Sequence, residues 1–278
     1  MSYKIIGDSC TDLTVEMKRD EHFHLVPLTL QVGDLTVIDD ATFNQRMFLQ
    51  KTKETPTCPK SSCPSPEAFM ELYGGEEDVY VITLSANLSG SFNSAELGRK
   101  LYLEENPHKN IKVFNSRTAS VGQTLIAMKI QEFAEAGKKF DEIVTLVEKF
   151  RDGLKTKFVL ETLDTLRKNG RLTNIQAIIC SALNIKPVLG ATPEGTICKI
   201  DQARGIQKAL LSMIKSIEQD VVHAGEKILA ISHCNNYERA LFVKDEILKR
   251  VAFKDSFIVD TAGVSSMYAE DGGIIVCY

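Results

Sequence analysis

In the first half of this 278-residue chain, hydroxyl side chains gather immediately after short apolar runs. Asp8-Ser9 follows YKIIG, Ser85 to Ser91 follow VYVITL, and Asn115-Ser116 follow IKVF. If the runs are parallel strands, their carboxyl ends bring three turns to one sheet edge. Ligand crevices form there because backbone groups and helix N-termini emerge together. The second turn is the most informative. Residues 83–94, TLSANLSGSFNS, place two serines before a glycine at the start of helix-compatible sequence. That combination supplies hydroxyl donors, a backbone that can approach closely, and amide hydrogens aimed outward. Such a nest suits an anion. Capping of the helix by Ser89 or Ser91 is an equal reading.

A nucleophilic serine would need a base, usually histidine, within hydrogen-bond reach, and the hydrolase elbow would read GxSxG. Neither signal is present in a convincing form. Of five histidines, only His233, closing the run ILAIS, sits at a strand end, and a backbone-satisfied loop histidine is the simpler reading of it; His22, His24, His108 and His223 flank strands or lie in turns and loops. Its neighbour Cys234 does not form a nucleophile and base pair with it by adjacency. The seven cysteines, Cys10, Cys58, Cys63, Cys180, Cys198, Cys234 and Cys277, are odd in number and lack CxxC spacing. They indicate neither a disulfide framework nor a metal site. The acidic pairs Glu76-Glu77-Asp78 and Glu104-Glu105 read as solvated turns. No GxGxxG or GxxxxGK[ST] loop is present, so no cofactor is implied.

Positive charge concentrates between residues 163 and 210. Arg167, Lys168 and Arg171 bracket Asn169-Gly170 ahead of a helical stretch over 173–183, capped by Thr173 and lined by Ile175, Ile178, Ile179, Ala182 and Leu183. Arg204 opens another helix and joins the same patch if the sheet folds back. A solvated basic turn explains the cluster equally well.

The elements that must position these groups alternate. Strand-like runs at Tyr3–Gly7, Val79–Leu84 and Ile111–Phe114 are followed by helical spacing over 92–103, 119–136 and 141–152, which implies a parallel sheet flanked by helices. Leu25 to Val32 and Leu35 to Ile38 read as two strands joined at Gly33-Asp34, a hairpin at the sheet edge. Thr52 to Pro66, with four prolines, reads as a loop closed by Ser65 as N-cap and Pro66 at the first helical position. The second half has more strands per helix: Phe158–Leu160, Ile185–Leu189, Ile197–Ile200, Ile228–Ser232, Phe257–Val259 and Gly273–Cys277, with helices over 204–220 and 236–251. We therefore expect two α/β domains, 1–155 and 156–278, the second with a mixed or antiparallel sheet and its helices on one side.

Composition narrows the function classes. Hydrophobic residues are 44% and charged residues 25%, enough apolar surface to offset the entropy of ordering and so to exclude wholesale disorder. A net charge of −4 gives no electrostatic case for nucleic acid or an anionic membrane. No run approaches the roughly 18 apolar residues of a membrane span, and Met1 to Asp8 leads directly into folded-looking sequence, so a cytoplasmic protein is expected.

Seven segments in order resemble the DegV family of bacterial fatty-acid-binding proteins, the acyl-carrying subunits of fatty acid kinase. They are IIGDSCTDL (5–13), KSSCPSP (60–66), ITLSANLSGSFNSA (82–95), FNSRTASVGQ (114–123), LDTLRKNGRLT (163–173), LNIKPVL (183–189) and EGTI with ARGIQKAL (194–210). The resemblance implies a two-domain α/β protein holding a long-chain fatty acid in a tunnel between the domains, its carboxylate near the serine-rich turns. The family's hydroxyl before PSP maps onto Ser62, with Ser61 beside it; its LSG hydroxyl and following amide map onto Ser89 and Gly90. Its basic, kinase-facing residues map onto Arg171 and Arg204, and the kinase is a separate subunit that phosphorylates the carboxylate. Burial of some fifteen methylenes gains on the order of 12 kcal/mol before entropy costs, and an unpaired carboxylate would forfeit several of these.

One segment departs from the family pattern. Where the family has a histidine before a Gly-Pro-Gly-like turn, this chain reads SSMYAEDGGIIV, with Tyr268 at the histidine position and Glu270-Asp271 in the turn. A tyrosine still donates a hydrogen bond, but it does not shuttle a proton near neutral pH. Acids in the turn oppose an acyl phosphate. The leading expectation is a non-enzymatic fatty-acid carrier using Ser61, Ser62, Ser89, Gly90 and Tyr268. Two alternatives stand beside it: a carrier without a kinase, and a hydrolase or transferase using a strand-end Ser or Cys on a small acidic substrate.

Overall fold

A computed structural model of the chain describes residues 2–172 and 184–278. The expected helix over 173–183, its Thr173 cap and Cys180 lie outside the described residues. The first half contains β1 (Tyr3–Asp8), β2 (Phe23–Val26), β3 (Thr29–Val32), β4 (Leu35–Ile38), α1 (Gln45–Glu54), β5 (Lys60–Ser62), α2 (Pro66–Met70), β6 (Asp78–Thr83), α3 (Ser91–Glu105), β7 (Ile111–Asn115), α4 (Val121–Glu135) and α5 (Phe140–Asp152). Strands β2-β1-β6-β7 form a parallel sheet, as their near-continuous apolar runs require of strands covered on both faces.

The second half contains β8 (Thr156–Val159), α6 (Asp164–Lys168), β9 (Ile185–Ala191), β10 (Ile197–Arg204), α7 (Ile206–Asp220), β11 (Ile228–His233), α8 (Tyr237–Leu248), β12 (Asp255–Asp260), α9 (Gly263–Ala269) and β13 (Ile274–Cys277). Its six-stranded sheet runs β10-β9-β8-β13-β11-β12 and is mixed: β11 and β12 are parallel, the other pairs antiparallel. Alternation along β13 sorts its faces. Ile274 and Val276 join the core beneath α7 and α8, whereas Ile275 and Cys277 face the first half.

Helix α4 explains how the halves meet. Its first seven residues, VGQTLIA, are all buried, because the helix packs against β1 and β6 on one side and β11 and β13 on the other. Enclosed on both sides, this first half of the helix has no solvent face.

Two local expectations are corrected. Leu25 to Val32 is not one strand at the edge of the parallel sheet: Pro27 cannot donate to a ladder, and the chain leaves the parallel sheet there. The hairpin forms as expected, with Gly33 at φ +57 in its two-residue turn, but it belongs to a separate antiparallel sheet, β4-β3-β5. Its third strand, Lys60–Ser62, comes from the segment read as loop; three residues between Pro59 and Pro64 can pair because β5 is an edge strand. Thr52–Glu54 likewise end α1, a largely polar helix burying only Phe48 and Leu49, with Asn44 capping the Met47 amide. Ser65 does cap α2, accepting from the Ala68 amide, with Pro66 at its start. No helix among the described residues is long and apolar enough to cross a membrane.

Candidate functional site

A cavity enclosing about 860 Å³ of non-protein space, part of it open to solvent, lies between the two halves. Its walls are mainly apolar: Leu28, Leu84 and Leu88 from the first half face Phe158, Leu160, Leu166, Ile197, Val264 and Ile275 from the second.

Polar groups line it too, Thr118, Ser120, Thr156, Thr196 and Ser265 among them. Ser61 and Tyr268 place their hydroxyls 3.2 Å apart, where either can donate, and Ser89 and Arg171 also line the cavity. The Arg171 guanidinium lies 5.8 Å from the centre of the Tyr268 ring, and its Nε donates to the Leu88 carbonyl at 3.1 Å. A second donor of Arg171 is held by the Asn169 carbonyl. Asn169 in turn donates to the Pro59 carbonyl at 3.0 Å, tying this turn to the chain just before β5. An arginine over an aromatic ring, with two serine hydroxyls nearby, suits a carboxylate better than a neutral group.

Of the residues singled out in the sequence, Ser61, Ser89, Tyr268 and Arg171 come together here; Ser62, Gly90 and Arg204 are not in the lining. Strand alternation separates the two serines: Ser61 is half-buried opposite Leu30, and Ser62 is exposed opposite Thr29. Gly90 is exposed at the start of α3, and no acceptor for its amide is found among the described residues. A Cβ there would lie 3.0 Å from the Cys63 Sγ. Arg204 ends β10, exposed and opposite Ile185. Ser89 accepts from the Ser91 amide at 3.2 Å and lies 3.0 Å from the Ser91 hydroxyl, so turn formation and cavity lining coexist in one side chain.

The other strand-end hydroxyls are structural. Ser9 donates to Asp39 at 2.8 Å, Ser85 to the Gly195 carbonyl at 2.7 Å, and Ser116 to the Thr118 carbonyl at 3.1 Å. The Ser85 bond, with Asn87 donating to the Glu194 carbonyl at 2.6 Å, seats the β9–β10 hairpin on the turn after β6. The inner face of that hairpin, Gly190, Ala191, Gly195 and Thr196, forms one wall of the cavity. Sequence reasoning missed these residues. Their signal was small side chains in an otherwise bulky strand pair, and at Gly190 packing explains it: a Cβ would lie 2.9 Å from the Thr156 carbonyl.

A buried carboxylate, Asp12, joins the halves beside the cavity, and a second, Asp8, is held within the first half. Asp12 accepts from the Ala262 amide at 2.7 Å and from Ser120, whose hydroxyl is 2.7 Å from that of Ser232. Asp8 accepts from the Leu84 amide at 2.7 Å and from Gln123 at 2.9 Å. Burial pushes the Asp8 carboxyl up to about 6 and Asp12 up to about 7, against the opposing pull of their hydrogen-bond donors. Burial also raises the Cys10 thiol well above its ordinary value, so this cavity-lining cysteine is a poor nucleophile. No histidine of the described residues lines the cavity. His233 is buried, accepts from the Asn236 amide at 3.3 Å and lies 3.4 Å from Asp260; desolvation lowers its pKa.

The charge picture read from sequence is altered. Arg167 and Lys168 pair with Asp164 at 3.0 and 3.6 Å, and Arg171 turns inward, so the basic turn is partly neutralised. The acidic turn is occupied too. Glu270 accepts from the Thr165 amide at 3.2 Å, and Asp271 meets Lys53 at 2.7 Å and Asn235 at 2.9 Å, the Lys53 contact lowering its pKa.

Comparisons with known proteins agree with this architecture. A family model described as "Uncharacterised protein, DegV family" matches residues 2–278. A DegV domain-containing protein of Streptococcus gordonii is 36% identical over 280 residues, covering 100% of this chain and 99% of the relative. Among solved structures, a DegV family protein of Ruminococcus gnavus refined with vaccenic acid is 54% identical, with TM-score 0.97 and coverage of 100% and 99%. The Streptococcus pneumoniae fatty acid kinase (Fak) B3 protein loaded with linoleic acid is 31% identical, with TM-score 0.91 and the same coverage. A match across both halves, in sequence and in fold, leaves one assignment: the chain belongs to the DegV family.

Proposed function

We propose that this chain is a non-enzymatic carrier that holds one long-chain fatty acid in the cavity between residues 1–155 and 156–278. The carboxylate lies against Ser61, Ser89 and Tyr268 beneath Arg171, with Ser62 and the Gly90 amide at the rim, and the acyl chain runs along the apolar wall. The observation that carries this reading is the lining itself: leucine and isoleucine from both halves, with the donors Ser61, Tyr268 and Arg171 grouped around one ring and Ser89 also in the wall. The likeness to the Ruminococcus gnavus protein that binds vaccenic acid supports it. Buried methylenes supply the affinity, and hydroxyl and guanidinium donors offset the cost of burying the carboxylate. A cytoplasmic location is part of this proposal. Mass spectrometry of freshly purified, denatured protein should release a stoichiometric fatty acid; clean apo protein that also takes up no added fatty acid refutes the reading.

Coupling to a separate kinase subunit is the finer form of the proposal, with exposed Arg204 facing that partner and Arg171, turned inward, meeting the carboxylate that the partner phosphorylates. The likeness to the Fak B3 protein supports it, and so do Lys53 and the Thr165 amide, which absorb the acidic turn that would repel an acyl phosphate. With a fatty acid kinase catalytic subunit and ATP, loaded protein should yield acyl phosphate, and Arg204→Ala should lower the yield without changing acid affinity. Bound lipid with no acyl phosphate would favour the uncoupled carrier instead. A serine- or thiol-directed activity probe labelling Ser85, Ser89 or Cys10 would favour the hydrolase or transferase alternative.

A further inference from the structure

The helix that carries Tyr268 begins on a carboxylate that does not line the cavity. Asp39 follows β4 and is 2% exposed. Its Oδ1 accepts from the Gly263 amide at 2.6 Å; its Oδ2 accepts from the Val264 amide at 2.8 Å and from the Ser9 hydroxyl at 2.8 Å. These are the first two amides of α9, donors left without a partner inside the helix. The approach is close enough to demand glycine: a Cβ at Gly263 would lie 2.5 Å from Asp39 Oδ1 and 2.9 Å from Leu30 Cδ1. Five residues after Gly263, the same helix presents Tyr268 to Ser61.

The two contacts are joined through one small sheet. Ser61 lies on β5, which pairs with β3 through Leu30; β3 pairs with β4, and the chain leaving β4 reaches Asp39. The three-stranded sheet therefore grips α9 twice, at its N-terminus through Asp39 and near its C-terminus through Ser61. We propose that Asp39 is a positioning residue for the carboxylate-binding end of the cavity, setting α9 so that the Tyr268 hydroxyl meets Ser61. The inference rests on the fatty-acid reading above and names a residue through which that site is built.

Vaccenic acid and its methyl ester separate this role from general damage, because they share a chain and differ in the head group. Asp39→Asn presents an amide donor to a backbone donor in place of one carboxylate oxygen. It should weaken vaccenic acid about ten-fold or more while leaving the ester within about two-fold. In a Tyr268→Phe background it should cause no further loss for the acid. Equal weakening of acid and ester, or losses that multiply in the double variant, would overturn the proposal. Should Asp39→Asn fail to fold, Gly263→Ala presses on the same contact from the helix side and carries the same expectation. Amide exchange of wild-type protein gives a readout free of substitutions: the acid, and not the ester, should slow exchange at Gly263 and Val264, and identical exchange with both ligands sinks the idea. Wild-type protein that takes up neither ligand sinks the fatty-acid reading and this inference together. A wild-type preference for the acid that survives in the variants sinks only the role of Asp39.

Discussion

Replacing Tyr268 by Phe removes one oxygen and nothing else from the cavity. The ring stays, so its packing among Leu49, Leu160 and Leu166 and the Arg171 guanidinium 5.8 Å from its centre are retained. What disappears is the hydroxyl 3.2 Å from Ser61, which we place on the ligand carboxylate. A hydrogen bond to a charged group contributes about 1.5–3 kcal/mol, so the dissociation constant for vaccenic acid should rise by roughly 10- to 150-fold. The apolar term, on the order of 12 kcal/mol before entropy costs for some fifteen methylenes, is untouched. The variant should still load, and should bind the methyl ester as wild type does. Because the lost protein bond joins two hydroxyls that are not fully buried, unfolding free energy should change by no more than about 1 kcal/mol. Displacement of a fluorescent fatty acid by each ligand, with urea unfolding in parallel, measures all three quantities. Unchanged acid affinity, or equal losses for acid and ester, would falsify the placement of Tyr268 at the carboxylate.

Ser89→Ala removes both a cavity hydroxyl and the acceptor of the Ser91 amide, so it should cost about 1 kcal/mol of stability as well as about 1–3 kcal/mol of acid affinity; loss of neither in paired unfolding and binding measurements removes Ser89 from the site. Asp8 and Asp12, with folded pKa values of about 6 and about 7 against an ordinary 3.8, contribute stability that is full below about pH 4 and is lost as pH rises through those values, on the order of a few kcal/mol. Asp12→Asn can keep the Ala262 and Ser120 contacts without a charge, so urea unfolding between pH 5 and pH 8 should show a flatter profile in that variant; an unchanged slope contradicts the assignment. Among the thiols, exposed Cys63 should alkylate readily while buried Cys10 stays unmodified in folded protein, as read by peptide mass spectrometry. Rapid labelling of Cys10 would mean that the cavity opens freely.

Local patterns were legible wherever one chemical rule acts within a few residues. The apolar runs of β1, β6 and β7, the helical spacing of α3 and α5, the Gly33-Asp34 turn and the Ser65-Pro66 helix start all follow from periodicity and turn chemistry. The order of motifs then marked the family, and with it Ser61, Ser89, Tyr268 and Arg171. Partner choice was not legible. Lys60–Ser62 is too short and too proline-bounded to read as a strand, and it becomes one only because β3 is at hand to accept it. That pairing decides that Ser61 and not Ser62 turns to the cavity, since a one-residue shift in a strand reverses the face. The acids at Glu270-Asp271, read from sequence as opposing an acyl phosphate, were likewise settled by distant partners, Thr165 and Lys53, while Arg171 is held by distant Leu88 and nearby Asn169. Sequence by itself determined the longer strands and helices, the family and the types of group available to a ligand, because these depend on short-range periodicity and motif order. Only the tertiary structure decided which of those groups share a cavity, because register, strand pairing and the carboxylate grip on α9 join residues more than two hundred positions apart.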